Sequence, residues 1–197
     1  MPDEERTPPA KIRVTGLQEA QLDSLQRIEQ ACAAMHYEVG LTPEQVSPLG
    51  FTEIATLFRS HDLYVAEADY QVAGYLAWRD EPPKVGYLAI LNVAPEYQRF
   101  GVATRLLREM GASCREKGIA HVVARCWQSA TWAAAFFAVA GFRPLDGADE
   151  PPAPVQDWRK RAAGSGQLDV PGQRVLWRSV EELGVQVLPG IPKPEPE

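Results

Sequence analysis

The sequence reads Val93-Ala94-Pro95-Glu96-Tyr97-Gln98-Arg99-Phe100-Gly101-Val102-Ala103-Thr104 at the junction of two strongly patterned segments. Before this junction, residues 87–93 are almost entirely apolar, which is typical of a buried β-strand. After it, apolar residues recur at helical spacing and form one face of a long helix: Val102, Leu106, Leu107, Met110 and Cys114. The junction is therefore predicted to be a loop that joins a buried strand to a long helix.

This loop has small side chains at the positions where a ligand could approach its backbone. Gly101 and Ala103 carry little or no side chain, so the N–H groups of residues 99–104 can converge on one anion. The helix that begins near Val102 adds the positive end of its dipole. Phosphate or pyrophosphate would be the natural ligand of such a loop. Tight strand-to-helix turns also use small residues for steric reasons alone, and on this pattern by itself the steric interpretation is the stronger one.

The rest of the chain alternates between strand-like and helix-like patterns. Further strands are predicted at residues 12–17, 63–68, 71–79, 119–126, 142–145 and 174–178. Helices are predicted at residues 22–35, 51–58, 102–118 and 132–140. Pro, Gly and charged residues predict loop over most of residues 146–174. This order indicates an α/β fold in which a hairpin half and a βα half share one sheet.

Composition excludes several classes of protein. The 197 residues are 45% hydrophobic and 23% charged, which is typical of one globular domain with a full core. A net charge of -6 argues against a nucleic-acid partner. No apolar run approaches the ~20 residues of a membrane span, and the first residues are acidic, so we expect a cytoplasmic protein without a membrane partner. The three cysteines are scattered without a C-x-x-C pair, so no metal site is expected.

Two blocks resemble the GNAT superfamily of N-acetyltransferases. Gln98-Arg99-Phe100-Gly101-Val102-Ala103, after Val93-Ala94-Pro95, is similar to the family's acetyl-CoA loop, Gln/Arg-x-x-Gly-x-Gly/Ala after a Val-x-Pro strand end. Residues 132–142 look like its Ala-rich helix, which ends in Gly-Phe. The resemblance implies a single-domain α/β fold with a mixed, mostly antiparallel sheet, flanked by helices and splayed between the fourth and fifth strands. Residues 11–180 would form the acyltransferase domain, with flexible segments at residues 1–10 and 181–197.

The resemblance also implies acetyl-CoA as the co-substrate. Its pyrophosphate would bind the amides of residues 98–104, and its pantetheine arm would pair with backbone around residues 91–93, as an added strand pairs with a sheet edge. The residues assigned to cofactor binding are Leu91, Val93, Gln98, Arg99, Phe100, Gly101, Val102, Ala103, Thr104 and Phe136. For Arg99, direct phosphate contact and a solvated surface charge stay open as alternatives.

The sequence departs from the family pattern at two catalytic positions. Phe137 stands four residues before Gly141, where many relatives have a tyrosine that protonates the leaving thiolate. The strand at residues 87–93 contains no carboxylate, whereas many relatives place a glutamate base there. The candidates for catalysis are Asn92, Tyr37 and Glu38, with His36, Asp80, Glu81, Tyr87 and Ser129 as further alternatives. Each of them also has an ordinary structural interpretation.

The predicted function is transfer of an acetyl group from acetyl-CoA to the amine of a small molecule or peptide. The missing acid weakens this activity without excluding it, because a thiol of pKa ~8.5 leaves without prior protonation. The alternative is a catalytically weak or inactive acyl-CoA-binding or interaction module with the same fold. A homodimer that pairs through the C-terminal strand is a further expectation.

Overall fold

The computed structural model describes residues 7–166, 168 and 170–184. Its strands are β1 (Ile12–Gly16), β2 (Asp62–Ala68), β3 (Gln71–Glu81), β4 (Val85–Val93), β5 (His121–Trp127), β6 (Arg143–Pro144) and β7 (Gln173–Ser179). Its helices are α1 (Leu22–Glu38), α2 (Phe51–Ser60), α3 (Val102–Glu116), α4 (Thr131–Val139) and α5 (Ala153–Gly164). Most of the predicted flexible ends, at residues 1–6 and 185–197, lie outside the described residues.

The strands form one sheet in the order β1-β2-β3-β4-β5-β7-β6. β4 and β5 are parallel, whereas β1 with β2, β5 with β7, and β6 with β7 are antiparallel. This confirms the predicted mixed, mostly antiparallel sheet flanked by helices. The parallel ladder runs from Val85 opposite His121 to Leu88 opposite Ala124, and each strand continues beyond it. The splay of these two strands stays a prediction.

Two sequence-based expectations require correction. α5 occupies residues 153–164, inside the stretch predicted as loop, because its Pro-rich start masks the buried stripe of Val155, Trp158 and Ala162. The predicted tail begins with a 3-10 helix at Glu181–Gly184, whose Leu183 is buried. β7 lies between β5 and β6, and the two residues of β6 pair with Leu176 and Trp177. The expected homodimer through the C-terminal strand stays a prediction.

The chain divides into two compact units, of which the first comprises residues up to Ala77 together with Ile90–Glu109. Helix α1 presents one apolar face because Leu25, Ile28 and Cys32 recur at three- and four-residue spacing. α2 follows a turn in which the Glu53 carboxylate accepts a hydrogen bond from the Gly50 N–H at 2.8 Å. The core consists of Leu22, Leu25, Ile28, Cys32, Ile54, Leu63, Val65, Tyr75, Ala77 and Ala94.

The second unit comprises Trp78–Ala89 and the chain from Met110 onward. Helix α3 packs closely on β4, since a Cβ added at Gly86 would lie 3.2 Å from the Cys114 sulfur and 3.4 Å from Met110. The core consists of Val85, Tyr87, Val123, Leu145, Val155, Trp158, Ala162 and Trp177. Within the described ranges, no helix combines the length and the apolar character required to cross a membrane.

Candidate functional site

The loop between β4 and α3 contains two left-handed residues in close succession. After a 3-10 turn at Pro95–Tyr97, Arg99 has φ 72° and Gly101 has φ 80°. Gln98, directly before Arg99, is extended, with φ -68° and ψ 150°. Positive-φ residues are one component of the nests in which main-chain N–H groups bind anions. For a residue with a side chain, such as Arg99, this conformation costs of order 1 kcal/mol.

Helix α3 begins directly after this turn. The Arg105 N–H donates to the Gly101 carbonyl at 3.1 Å, which closes the first turn of the helix. The first N–H groups of an α-helix have no acceptor within the helix, so those of Val102, Ala103 and Thr104 are directed at the loop side. The Val102 side chain is buried at 1% exposure and fixes the start of the helix in the core. The arrangement therefore suits an anion held by main-chain nitrogens.

The carbonyl group of Val93, at the end of β4, accepts hydrogen bonds from two side chains. The Val93 carbonyl accepts a hydrogen bond from the Gln98 side-chain amide at 3.1 Å and a weaker one from the Cys32 thiol at 3.6 Å. The Gln98 Nε2 atom also lies 3.3 Å from the Met35 sulfur. Because its side-chain amide is committed to these contacts, Gln98 braces the loop, and its backbone is the part left for a ligand.

The backbone of β4 alternates between two directions near its end. The Ala94 N–H donates to the Ala73 carbonyl of β3 at 2.9 Å, and a Cβ added at Gly74 would lie 2.7 Å from the Asn92 carbonyl oxygen. The Asn92 carbonyl and the Ala94 N–H group therefore face β3. Since neighbouring residues of a strand point their N–H groups in opposite directions, those of Leu91 and Val93 face away from β3.

A buried carboxylate lies beneath the end of β4. Glu29 of α1 is 6% exposed, and its Oε1 accepts hydrogen bonds from the Tyr75 hydroxyl at 2.5 Å and from the Asn92 side-chain amide. Its Oε2 accepts the Leu49 N–H at 2.9 Å. We call these four residues the Glu29 network.

Glu29 was not among the site residues predicted from the sequence. The signal was present, because Glu29 lies four residues after Leu25 and three before Cys32, which places a charged side chain on the apolar face of α1. A buried charge in such a position requires partners, and Tyr75, Asn92 and Leu49 provide them.

The charge of Glu29 influences two neighbouring groups. Burial, with the Glu29 charge as the second cause, raises the pKa of the Cys32 thiol to about 12. The same two causes, again with burial first, raise the pKa of the Tyr75 hydroxyl well above its ordinary value. Both groups therefore keep their protons at neutral pH, which allows Cys32 to donate to Val93 and Tyr75 to donate to Glu29.

Of the predicted catalytic residues, the structure brings only Asn92 into this network. Tyr37 donates its hydroxyl to the Val46 carbonyl at 2.8 Å, which fixes the segment after α1. Glu38 is exposed at the end of α1, nine residues and therefore about 13 Å along the helix from Glu29. The His36 ring contacts the Cys32 carbonyl at 2.8 Å. These contacts favour structural roles for His36 and Tyr37.

The phenylalanines of α4 have clear packing roles in the second unit. Phe137 is 7% exposed, and its ring makes edge contacts with Phe136 and Phe142 at centroid distances of 5.5 and 5.0 Å. Phe136 is half-buried. Phe137 is therefore a core residue.

Of the four remaining candidates in the second unit, two make ordinary hydrogen bonds and two are exposed. Glu81 accepts hydrogen bonds from the Arg79 guanidinium and, at 2.5 Å, from the Trp158 indole. The Tyr87 hydroxyl accepts the Arg125 Nε–H at 2.8 Å. Asp80 and Ser129 are exposed. Across residues 7–166, 168 and 170–184, no three His, Cys, Asp or Glu side chains are grouped so that they could hold a metal ion.

The mixed sheet with its parallel β4–β5 pair and flanking helices matches the folds of GNAT acetyltransferases. The chain belongs to the acetyltransferase (GNAT) family, whose model matches residues 22–142. Members of this family use acetyl-CoA as co-substrate. No curated protein matches the chain.

Solved structures show the same fold at low sequence identity. The PaiA N-acetyltransferase of Thermoplasma acidophilum, in complex with coenzyme A, superposes with a TM-score of 0.67 and 14% identity, covering 86% of this chain and 99% of that one. The ribosomal-protein-S18-alanine N-acetyltransferase of Escherichia coli gives a TM-score of 0.59 and 14% identity, with 93% and 100% coverage. The N-acetylglutamate synthase of Neisseria gonorrhoeae, with coenzyme A and N-acetyl-glutamate, gives 0.60 and 19%, with 87% and 35% coverage.

Proposed function

We propose that this protein transfers the acetyl group of acetyl-CoA directly to the amine of a small molecule or a peptide. The observation that carries the proposal is the loop at residues 98–104, where left-handed Arg99 and Gly101 immediately precede the N-terminus of α3. This loop fits a diphosphate because its ligands would be main-chain N–H groups and a helix dipole. Acetyl-CoA, when bound, supplies the activated acetyl group.

The donor site is proposed to extend from this loop along β4. The N–H groups of residues 99–104 would bind the diphosphate, and the Leu91 and Val93 peptide groups, which face away from β3, would pair with the pantetheine arm. Because the Val93 carbonyl already accepts two hydrogen bonds, Val93 would contact the acyl end of acetyl-CoA through its N–H group. The assignment of Phe136 to the cofactor stays a prediction.

The reaction requires a neutral amine nitrogen to attack the thioester carbon, with cleavage of the carbon–sulfur bond and departure of the thiolate. An alkylamine of pKa ~10 must first lose a proton, to water or to a side chain. The Val93 N–H group is the proposed donor to the thioester oxygen, and the Leu91 N–H group pairs with the pantetheine arm. Phe137 has no proton to give, so the thiolate would leave unprotonated, as its pKa of ~8.5 permits.

The proposed donor site is tested by titration calorimetry with acetyl-CoA. Gly101→Glu places a carboxylate in the anion site at a left-handed position, and we expect affinity to fall by about tenfold or more. Gly166→Glu is the matched control, since Gly166 has a similar φ of 73° and nothing within 4 Å of an added Cβ. Equal affinity of wild type and Gly101→Glu would remove the loop from the proposed site.

A second candidate function is a binding module that retains acetyl-CoA without turnover. It is favoured by the buried, apolar Phe137 and by the absence of a carboxylate along β4. A panel of amines, with free coenzyme A measured by a thiol reagent, separates the two functions. Release that depends on the acceptor supports the transferase, whereas tight binding without release supports the module.

A further inference from the structure

Glu29 is buried where an apolar residue would be expected to serve the fold at least as well. Burying a carboxylate costs several kcal/mol before its hydrogen bonds are counted, and apolar replacement of buried charges is often neutral or stabilising. Three donors from three parts of the chain converge on Glu29: the Tyr75 hydroxyl of β3, the Asn92 amide of β4, and the Leu49 N–H before α2. Stability alone therefore does not account for Glu29, and the groups that its carboxylate holds indicate a further role.

Asn92 is the member of the Glu29 network that reaches the proposed donor site. Its side chain is held by Glu29, and its carbonyl oxygen lies 2.7 Å from the position that a Cβ added at Gly74 of β3 would take. The peptide group that joins Asn92 to Val93 contains the Asn92 carbonyl and the Val93 N–H group. Rotation of this peptide plane would change the direction of the Val93 N–H group, which is the proposed donor to the acyl end.

We propose that Glu29 is a positioning residue for acetyl transfer: by holding the Asn92 side chain, it fixes the direction of the Val93 N–H group. This inference rests on the proposed function for its catalytic consequence. Glu29 itself touches no substrate in this scheme. It supplies, from a helix, a carboxylate that orients the strand, in a protein whose β4 carries no carboxylate of its own.

The competing explanation is that Glu29 only anchors the segment before α2 through Leu49. Glu53 performs a closely similar task one residue further on, since its carboxylate accepts the Gly50 N–H at 2.8 Å. Glu53→Gln is therefore the matched control, because it perturbs a carboxylate bond to the same segment without touching Tyr75 or Asn92. Asn92→Ala is the complementary variant, because it removes the contact to β4 and leaves Glu29 bonded to Tyr75 and Leu49.

The first test uses the protein without acetyl-CoA and measures the mobility of backbone N–H groups by ¹⁵N NMR relaxation. In Glu29→Gln and in Asn92→Ala, we expect the order parameter of the Val93 N–H group to fall from about 0.85 to about 0.6 or less, while the interior of α1 is unchanged. In Glu53→Gln, the Val93 order parameter stays at its wild-type value. An unchanged Val93 order parameter in folded Glu29→Gln would overturn the proposal even if acetyl transfer were absent from the wild type.

The second test separates turnover from binding once an acceptor amine is found. Both variants should lower kcat by about tenfold or more, because small misplacements of reacting groups cost this much. Affinity for acetyl-CoA should stay within about twofold, since the diphosphate loop is intact. The double variant should be no slower than the slower single one, as expected for residues that act as a unit. A slow Glu29→Gln beside a normal Asn92→Ala would refute the positioning role, whereas failure of the wild type to transfer acetyl groups would refute the proposed function instead.

Discussion

At the scale of single residues, Cys32 shows how burial and charge act together on one ionisable group. Burial raises the pKa of its thiol first, the Glu29 charge second, and a backbone hydrogen bond at Val93 opposes them in part; the result is about 12. The folded protein therefore holds this proton more tightly than the unfolded chain, in which the pKa returns toward its ordinary value of 9.0.

This difference predicts a loss of stability in alkali. A group whose pKa is higher in the folded state contributes stability that is complete below the unfolded pKa, and this contribution disappears as the pH rises from about 9 to about 12. We expect the free energy of unfolding to fall over this range in the wild type and to fall less steeply in Cys32→Ala. Tyr75 acts in the same direction, so some slope remains. Urea titrations at several pH values measure it, and parallel slopes would contradict the role of Cys32.

The same scale shows what the sequence could and could not reveal about the site. The spacing from Gln98 to Ala103 predicted an anion-binding loop, and this stays a prediction, although Arg99 and Gly101 both have positive φ. Spacing does not reveal which donors are already used, so the bond from the Gln98 amide to Val93 could not be anticipated. Glu29 was visible as a charge on an apolar face, but its partners are 20 to 63 residues distant in the chain.

At the scale of elements, the close approach of β3 to β4 depends on Gly74. A Cβ at this position would meet the Asn92 carbonyl oxygen at 2.7 Å and the Val93 Cα at 3.1 Å. These are backbone atoms of the strand end that the Glu29 network holds, so they cannot move aside without disturbing the proposed donor site.

Gly74→Ala should therefore be costly although it adds a single methyl group. We expect a loss of about 1–3 kcal/mol in the free energy of unfolding, as for other overpacked sites, together with weaker binding of acetyl-CoA. Gly16→Ala in β1 is the control, since nothing lies within 4 Å of its added Cβ, and its effect should stay within about 0.5 kcal/mol. Urea unfolding and calorimetry measure the two effects. Equal stability of both variants would show that the strands separate without cost.

Elements were predictable where local pattern and tertiary burial agree. α1 and β2 follow from the spacing of their apolar residues, and the Asp69-Tyr70 hairpin was predicted from its length, with both residues left-handed in the structure. α5 was missed because Pro151, Pro152 and Pro154 at its start indicate loop, whereas its helical stripe becomes apparent only against the core of the second unit. A proline in the first turn is compatible with a helix, so prolines clustered at the start of a segment do not argue against a helix that begins there.

At the scale of the whole molecule, the two compact units are joined through continuous secondary structure. The unit boundaries at residues 77/78, 89/90 and 109/110 fall inside β3, β4 and α3. Unfolding one unit would therefore interrupt two strands and a helix that also belong to the other. This continuity predicts that the protein unfolds in one cooperative transition, although each unit has its own core.

The distribution of tryptophan allows a direct test of this cooperativity. All five tryptophans, Trp78, Trp127, Trp132, Trp158 and Trp177, belong to the second unit, so their fluorescence reports that unit alone. Leu25 is fully buried in the core of the first unit, and Leu25→Ala should cost about 2–5 kcal/mol. We expect the urea midpoint followed by tryptophan fluorescence to fall together with the midpoint followed by far-UV circular dichroism. A fluorescence midpoint that stays at the wild-type value while the dichroism midpoint falls would show that the units unfold independently.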